Sequence, residues 1–177
     1  PSSTFLHPLI EATGLHPVRL RTIGSVDNLA SLICYCLMPN HFHLLVWQKE
    51  PPGIQKLIQK LCTSYVMYFN RKYDRQGALF QGTYKAIIVD RDNYLLHLSR
   101  YIHLNPADVN EDFKTYPYSS YKYYVSLKPP QWLKPNQILG YFKSDRNVSL
   151  KDYFSYQSFV ESFPESSASY VGRLTLD

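Results

Sequence analysis

The clearest hydrophobic pattern lies between residues 32 and 47, where two short apolar runs flank a turn. The runs, residues 32–37 and 41–47, are rich in residue types that favour strands, and Pro39-Asn40 between them is a typical turn pair. This pattern predicts a β-hairpin or two closely paired strands. The Pro51-Pro52-Gly53 sequence that follows predicts a break in the chain.

The chain then changes to a helical period. Apolar residues recur every three or four positions from Ile54 to Phe69, which predicts one amphipathic helix that fades near Tyr73, before Gly77. Residues 83–89 follow a glycine-flanked segment and are a candidate for a further strand.

A second helix is predicted across residues 94–105. Asp90 or Asp92 is expected to cap it, because a short carboxylate accepts hydrogen bonds from the free amides of a first turn. Pro106 limits the helix, since the residue before proline is disfavoured in the α region. Three later segments complete the pattern: an aromatic loop at 116–121 and short helical pieces at 136–142 and 151–163.

Domain organisation follows from these contrasts. Residues 1–30 are interrupted by proline and glycine and are interpreted as a linker-like segment, in which only residues 18–23 alternate like a strand. Residues 31–125 are predicted to form the central domain, and residues 126–177 an accessory segment.

Composition narrows the class of protein. With 45% apolar and 19% charged residues, the chain of 177 residues is not disordered by composition, and it contains no apolar run long enough to span a membrane. Three cysteines without zinc-ligand spacing favour a reduced, cytoplasmic protein. A net charge of +5 and 16 tyrosines suit contact with nucleic acid, although composition alone favours the plainer interpretation of an aromatic-rich core in a slightly basic protein.

The histidine pair is the first candidate for chemistry. Alternation along a strand places His41 and His43 on one face, where two imidazoles can bind one metal ion. A bare His-x-His pair is nevertheless more often coincidental than functional, so the pair alone does not establish a site.

The second predicted helix carries a matching set of polar groups. His97, Tyr101 and Asn105 follow one another at four-residue spacing and therefore share a helix face. Asn105 can supply an oxygen to a metal, and a cation can polarise a phosphate attacked by Tyr101. A buried tyrosine followed by an ordinary helix-terminal asparagine explains the spacing as well.

The sequence resembles the single-tyrosine HUH transposases, named for a histidine–hydrophobic–histidine motif, and in particular their REP-associated branch. The resemblance runs in order over roughly residues 31–125, through the segments CLMPNHFHLL at 36–45, SYVMYFN at 64–70, LFQGTYKA at 79–86, YLL at 94–96, RYIHLNP at 100–106 and YPYSSY at 116–121. It implies an α+β fold with a ferredoxin-like antiparallel sheet and helices on one face. A small C-terminal helical segment would follow.

The resemblance also implies a role for each matched residue. His41 and His43 fall on the metal-binding histidines, Asn105 completes the metal site, and Tyr101 is the nucleophile. The implied cofactor is Mg²⁺ or Mn²⁺, and the implied partner is single-stranded or hairpin DNA. The implied reaction is cleavage and rejoining of one strand through a 5′-phosphotyrosine, as in DNA transposition; monomer and homodimer both stay open.

Two alternatives to this enzyme remain: a domesticated or inactive module that binds hairpin DNA, and a phosphodiesterase that uses water while Tyr101 is structural. The presence of all four residues favours the enzyme. Lys85 and Arg100 are the basic residues most expected to contact phosphate, with an ordinary surface charge as the equal alternative for each. His103 lies about 200° around the helix from Tyr101, so we interpret it as structural.

The opening of the chain departs from the family pattern. Family members begin with a strand and a helix upstream of this region, whereas this chain starts at Pro1 without them. We therefore expect the sheet to lack its first strand and to present an exposed edge beside the metal site. A chain with that strand restored is expected to be more stable and more active.

Overall fold

The computed structural model describes residues 28–143 and 153–162, and it has the α+β architecture expected from the sequence. The strand predicted at residues 18–23 lies outside these residues. In chain order the elements are β1 (Ala30–Leu37), β2 (Phe42–Gln48), α1 (Gly53–Lys72), α2 (Asp92–Leu104), a 3₁₀ helix (Asn105–Val109), α3 (Lys122–Val125), α4 (Asn136–Leu139), a second 3₁₀ helix (Gly140–Phe142) and α5 (Tyr156–Glu161).

The predicted hairpin is confirmed. Strands β1 and β2 pair antiparallel, with Cys36 opposite His43, and the backbone N–H of Met38 donates to the carbonyl of His41 at 2.9 Å to close the turn. The register shifts between Leu32 and Cys34, which is the irregularity of a β-bulge. The hairpin therefore fixes where the two histidines emerge from the sheet.

Strand β1 is buried on both faces and separates two hydrophobic clusters. Cys34 and Cys36 pack with α2, whereas Tyr35 and Leu37 pack with α1. The α+β class is thus as expected, but the two long helices lie on opposite faces of the hairpin and not on one. The reason is that every second residue of β1 points to each face, and both sets are apolar.

The two outer edges of the hairpin differ in their hydrogen-bond partners. The free edge of β1 is covered by later parts of the chain: Ser120 N–H donates to Tyr35 O at 3.0 Å, and Lys134 N–H donates to Leu32 O at 2.9 Å. Among residues 28–143 and 153–162, β2 has no strand partner besides β1. Within the described residues, this unpaired edge is the one beside the histidine pair.

The C-terminal part of the described chain shares the core of the central domain. Tyr156, Phe159 and Val160 of α5 are buried with Leu96 and Ile102 of α2 in one cluster. The helical pieces predicted near 136–142 and 151–163 are present as α4, a 3₁₀ turn and α5. The domain boundary at residue 125 stays a prediction.

Two local predictions are wrong. Residues 83–89 are not a strand but an irregular segment, in which Ile88 is 92% exposed. A strand needs a neighbour for its amides and carbonyls, and none of the described strands lies alongside this segment. Helix α2 begins without a side-chain cap: Arg91 occupies the N-cap, and Asp92 is the first helical residue, where its charge still suits the helix dipole.

His103 is structural, as its helix position indicated. Its ring is fully buried, with Nδ1 2.7 Å from the Tyr156 hydroxyl and Nε2 2.7 Å from Ser120 Oγ. Burial lowers the pKa of His103 to about 3, so the ring is neutral. The Ser120 hydroxyl in turn donates to Tyr35 O at 3.1 Å, so this one imidazole connects α2, α5 and β1.

Replacing this imidazole is expected to destabilise the fold strongly. His103→Phe keeps a ring of similar size but leaves the Tyr156 hydroxyl and Ser120 Oγ short of a buried partner. We expect the free energy of unfolding in urea to fall by about 2–4 kcal/mol. The double variant His103→Phe, Tyr156→Phe also removes the tyrosine hydroxyl, which without His103 keeps only Ser99 Oγ at 3.2 Å, and should recover part of that loss. An unchanged urea midpoint for His103→Phe would show that the network contributes little.

Candidate active site

The two histidines converge at the start of β2. His41 precedes the strand, His43 is its second residue, and their Nε2 atoms lie 3.0 Å apart. The rings are perpendicular, at 88°, with centroids 4.8 Å apart. The expectation that both side chains point to one side is therefore met by their geometry.

Both imidazoles present a neutral nitrogen to the same point. Burial lowers the pKa of His41, and the negative charge of Asp108 partly offsets this effect. Burial, followed by the nearby His41, lowers the pKa of His43 to about 4. His41 Nδ1–H donates to Asn40 Oδ1 at 2.7 Å, which leaves the lone pair on His41 Nε2. Neutral imidazole with a free lone pair is the form that binds metal.

Helix α2 brings Tyr101 against this pair. The half-buried phenol ring lies edge-on to His43, with centroids 5.6 Å apart. Burial raises the pKa of Tyr101, Asn105 lowers it through a hydrogen bond, and the charge of Asp108 raises it. The hydroxyl is thus protonated at neutral pH and needs help to act as a nucleophile.

Asn105 completes the cluster from the end of α2. It is only 3% exposed, and its Nδ2 donates to the carbonyl of Tyr101 at 2.9 Å. With the amide nitrogen held there, the oxygen Oδ1 is the group left to bind a metal. Asn105 also acts on the pKa of both His43 and Tyr101, in each case against the larger effect of burial. It therefore lies beside both a candidate ligand and the candidate nucleophile.

This donor set fits a divalent metal ion of octahedral preference. Adjacent ligands of an octahedral ion with bonds of about 2.1 Å lie about 3.0 Å apart. The two Nε2 atoms are separated by 3.0 Å. No group of three or more histidine, cysteine or acidic side chains is close enough to hold a metal within the described ranges, so the donors would be two imidazoles and an amide oxygen.

The two predicted DNA-contact residues have different positions. Lys85 lies on a groove beside the histidines. Arg100 is only 3% exposed: it donates to His97 Nδ1 at 2.7 Å and to Phe159 O at 3.3 Å, with its guanidinium carbon 4.3 Å from the centre of the Phe159 ring. This position does not support contact between Arg100 and DNA, because the guanidinium group is buried and its partners are other groups of the protein.

Sequence reasoning missed two residues of the site. Asn40 was interpreted only as part of a turn, and the signal for its role was its place next to His41. Asp108 was not considered; it lies three residues after Asn105 in the 3₁₀ helix that follows α2, where three residues make one turn. Its charge acts on both His41 and Tyr101.

This geometry defines a class of protein: an α+β fold in which two neutral histidines lie beside a tyrosine on a helix. Residues 25–105 match the family model described as "Transposase IS200 like", a little under half of the chain. The matched segment holds all four candidate site residues and supports an insertion-sequence transposase family. That family indicates a DNA-acting, nuclease-type enzyme of a kind that generally uses a divalent metal; the REP-associated branch stays a prediction.

The other comparisons add no relative. No curated protein matches the chain, and no solved structure does. None of the helices in the described ranges is long and apolar enough to cross a membrane.

Proposed function

We propose that this protein cuts and rejoins one DNA strand through a covalent bond between Tyr101 and a 5′ phosphate. The observation that carries this proposal is the convergence of His41, His43 and Tyr101 at one place. The two histidine Nε2 atoms lie 3.0 Å apart, and the Tyr101 ring lies 5.6 Å from that of His43. His41, His43 and Asn105 would hold Mg²⁺ or Mn²⁺, and the two imidazoles favour Mn²⁺.

The chemistry follows from a protonated tyrosine beside a bound phosphate. The Tyr101 oxygen attacks phosphorus, the bond from phosphorus to the 3′ oxygen breaks, and the phosphate stays on the tyrosine. Tyr101 loses one proton and the departing 3′ oxygen gains one, so the step is balanced. A bound ion would polarise the phosphate and offset its developing charge. Rejoining is the reverse attack by a 3′ hydroxyl, and it needs no ATP because the ester bond is conserved.

The positions of the site residues favour attack of Tyr101 on the phosphate. Tyr101 is held on helix α2, and Asn105 partly opposes the rise in its pKa that burial causes. Asn40 holds His41 in the tautomer that binds metal. These contacts preorganise the nucleophile and the phosphate site before DNA arrives.

A comparison of DNA forms tests the proposal. The protein, Mn²⁺ and a hairpin oligonucleotide with an unpaired flank should give a covalent adduct that survives denaturing electrophoresis. Chelation of the metal should abolish the adduct. The same sequence as a plain duplex should give at least about tenfold less adduct, because Tyr101 needs a flexible phosphodiester that can reach the histidines. Equal or greater adduct with duplex would contradict this.

A further inference from the structure

The three proposed metal donors carry no charge of their own. Burial lowers the pKa of both His41 and His43, so each imidazole is neutral, and the side chain of Asn105 is a neutral amide. A divalent ion held by these groups alone would keep its positive charge without an anionic partner. Mg²⁺ and Mn²⁺ favour carboxylate and water oxygens. The site would therefore gain from a negative charge close by.

Asp108 supplies such a charge. Burial lowers the pKa of His41, and the carboxylate of Asp108 is the opposing influence on that ring. Burial also raises the pKa of Tyr101, and the same carboxylate adds to the rise. Asp108 therefore acts on a candidate ligand and on the candidate nucleophile at once.

The backbone fixes where Asp108 lies relative to Asn105. The 3₁₀ helix Asn105–Val109 follows α2 directly, and three residues make one turn of such a helix. Asp108 therefore lies one turn beyond Asn105, on the same side. Asn105 and Pro106 are buried and anchor the start of this helix, and Asn110, with φ of 58°, ends it.

The position of Asp108 does not suit a direct ligand of the same ion. Within residues 28–143 and 153–162, no three histidine, cysteine or acidic side chains are close enough to hold a metal. The side chain of Asp108 is exposed, so water has access to its oxygens. Mg²⁺ keeps several of its waters when it binds to proteins, and carboxylates beyond the ligands commonly accept hydrogen bonds there. The position therefore suits contact through a bound water.

We propose that Asp108 stabilises the bound divalent ion from outside its ligands, by accepting a hydrogen bond from a water that the ion binds. Asp108 is thus a positioning residue, which contacts neither the ion nor the scissile phosphate directly. This inference rests on the proposed function, because that function places an ion at His41 and His43. Without an ion, the same charge repels a DNA phosphate, so occupancy of the metal site favours entry of the DNA.

Mn²⁺ binding to the full chain without DNA tests the inference independently of activity. The electron paramagnetic resonance signal of free Mn²⁺ gives the affinity in a titration at low salt. Asp108→Asn keeps the shape of the side chain and removes its charge, and it should weaken Mn²⁺ binding by about tenfold. This is the low end for such a group, because solvent screens an exposed charge. Asp108→Glu keeps the charge and should remain within about threefold of the natural chain.

The matched control is another acidic residue a little further along the chain. Glu111 is also exposed, and its backbone N–H, which donates to Pro106 O at 3.0 Å, is kept in Glu111→Gln. This variant loses the same charge and should bind Mn²⁺ within about twofold of the natural chain. In EDTA, Asp108→Asn should bind a labelled hairpin oligonucleotide at least as tightly as the natural chain does. Weaker binding would mean that Asp108 contacts DNA, and would contradict the proposal.

The outcomes separate this inference from the proposed function. Equal Mn²⁺ affinity of Asp108→Asn and the natural chain would overturn the inference, and so would an equal loss in Glu111→Gln, which would show an effect of net charge alone. Loss of binding in both Asp108 variants would make the carboxylate a direct ligand and would also contradict it. No Mn²⁺ binding by the natural chain would contradict both this inference and the proposed metal site. Mn²⁺ binding that depends on Asp108, without any adduct at Tyr101, would support this inference and count against the proposed function alone.

Discussion

The Tyr101→Phe variant is expected to form no covalent adduct with a hairpin oligonucleotide under conditions in which the natural chain does. The substitution removes the one oxygen that would bond to phosphorus. It keeps the ring that packs edge-on against His43. The loss should be on the order of 1000-fold or more, because no other group supplies the nucleophile. Adduct yield on denaturing gels, together with the thermal midpoint of each protein, measures the effect.

The matched control lies on the same helix. Tyr94→Phe also removes a phenol oxygen, from an exposed tyrosine in the first turn of α2, and should leave the adduct yield within about twofold. If the Tyr101→Phe protein still forms an adduct, another of the 16 tyrosines is the nucleophile.

Replacing both His41 and His43 with alanine is expected to abolish metal-dependent cleavage while leaving DNA binding nearly intact. The two side chains supply both nitrogen donors of the proposed site, so the cleavage rate should fall by at least about 100-fold. Affinity for DNA should change little, because both rings are neutral and do not attract phosphate. Cleavage rate and anisotropy, measured on the same oligonucleotide, separate the two effects.

A thermal assay makes this second test independent of activity. Mn²⁺ should raise the melting temperature of the natural chain, since a ligand that binds only the folded state stabilises it, and should not raise that of the double variant. The control is His97→Gln, which replaces a histidine outside the pair and keeps an acceptor for Arg100. Unchanged cleavage or an unchanged Mn²⁺ response in the double variant would remove the histidines from the site.

The secondary-structure elements that could be predicted are those determined by the residue pattern within a short stretch of sequence. The hairpin and α1 follow from the spacing of apolar residues, and α1 ends at Lys72 beside the expected Tyr73. The convergence of His41 with His43 was predicted from alternation along a strand, although His41 lies one residue before β2 begins. The placement of α1 and α2 did not follow, because β1 is apolar on both faces and its pattern does not say which helix covers which face.

Features that depend on distant parts of the chain were not predictable. Whether residues 83–89 form a strand depends on a neighbouring strand, and the residue types of the segment alone do not show one. Arg100 looked like a phosphate contact, but its burial depends on Phe159, 59 positions away in the chain. The groove beside the histidines likewise requires α1 and residues 80–87 to face each other.

The most direct test of the central claim is a crystal structure of the full chain with Mn²⁺ and a hairpin oligonucleotide that carries a non-cleavable phosphate. We expect an anomalous peak within bonding distance of His41 Nε2, His43 Nε2 and Asn105 Oδ1, with the phosphate between that ion and the Tyr101 hydroxyl. A peak bound elsewhere, or a phosphate out of reach of Tyr101, would contradict it.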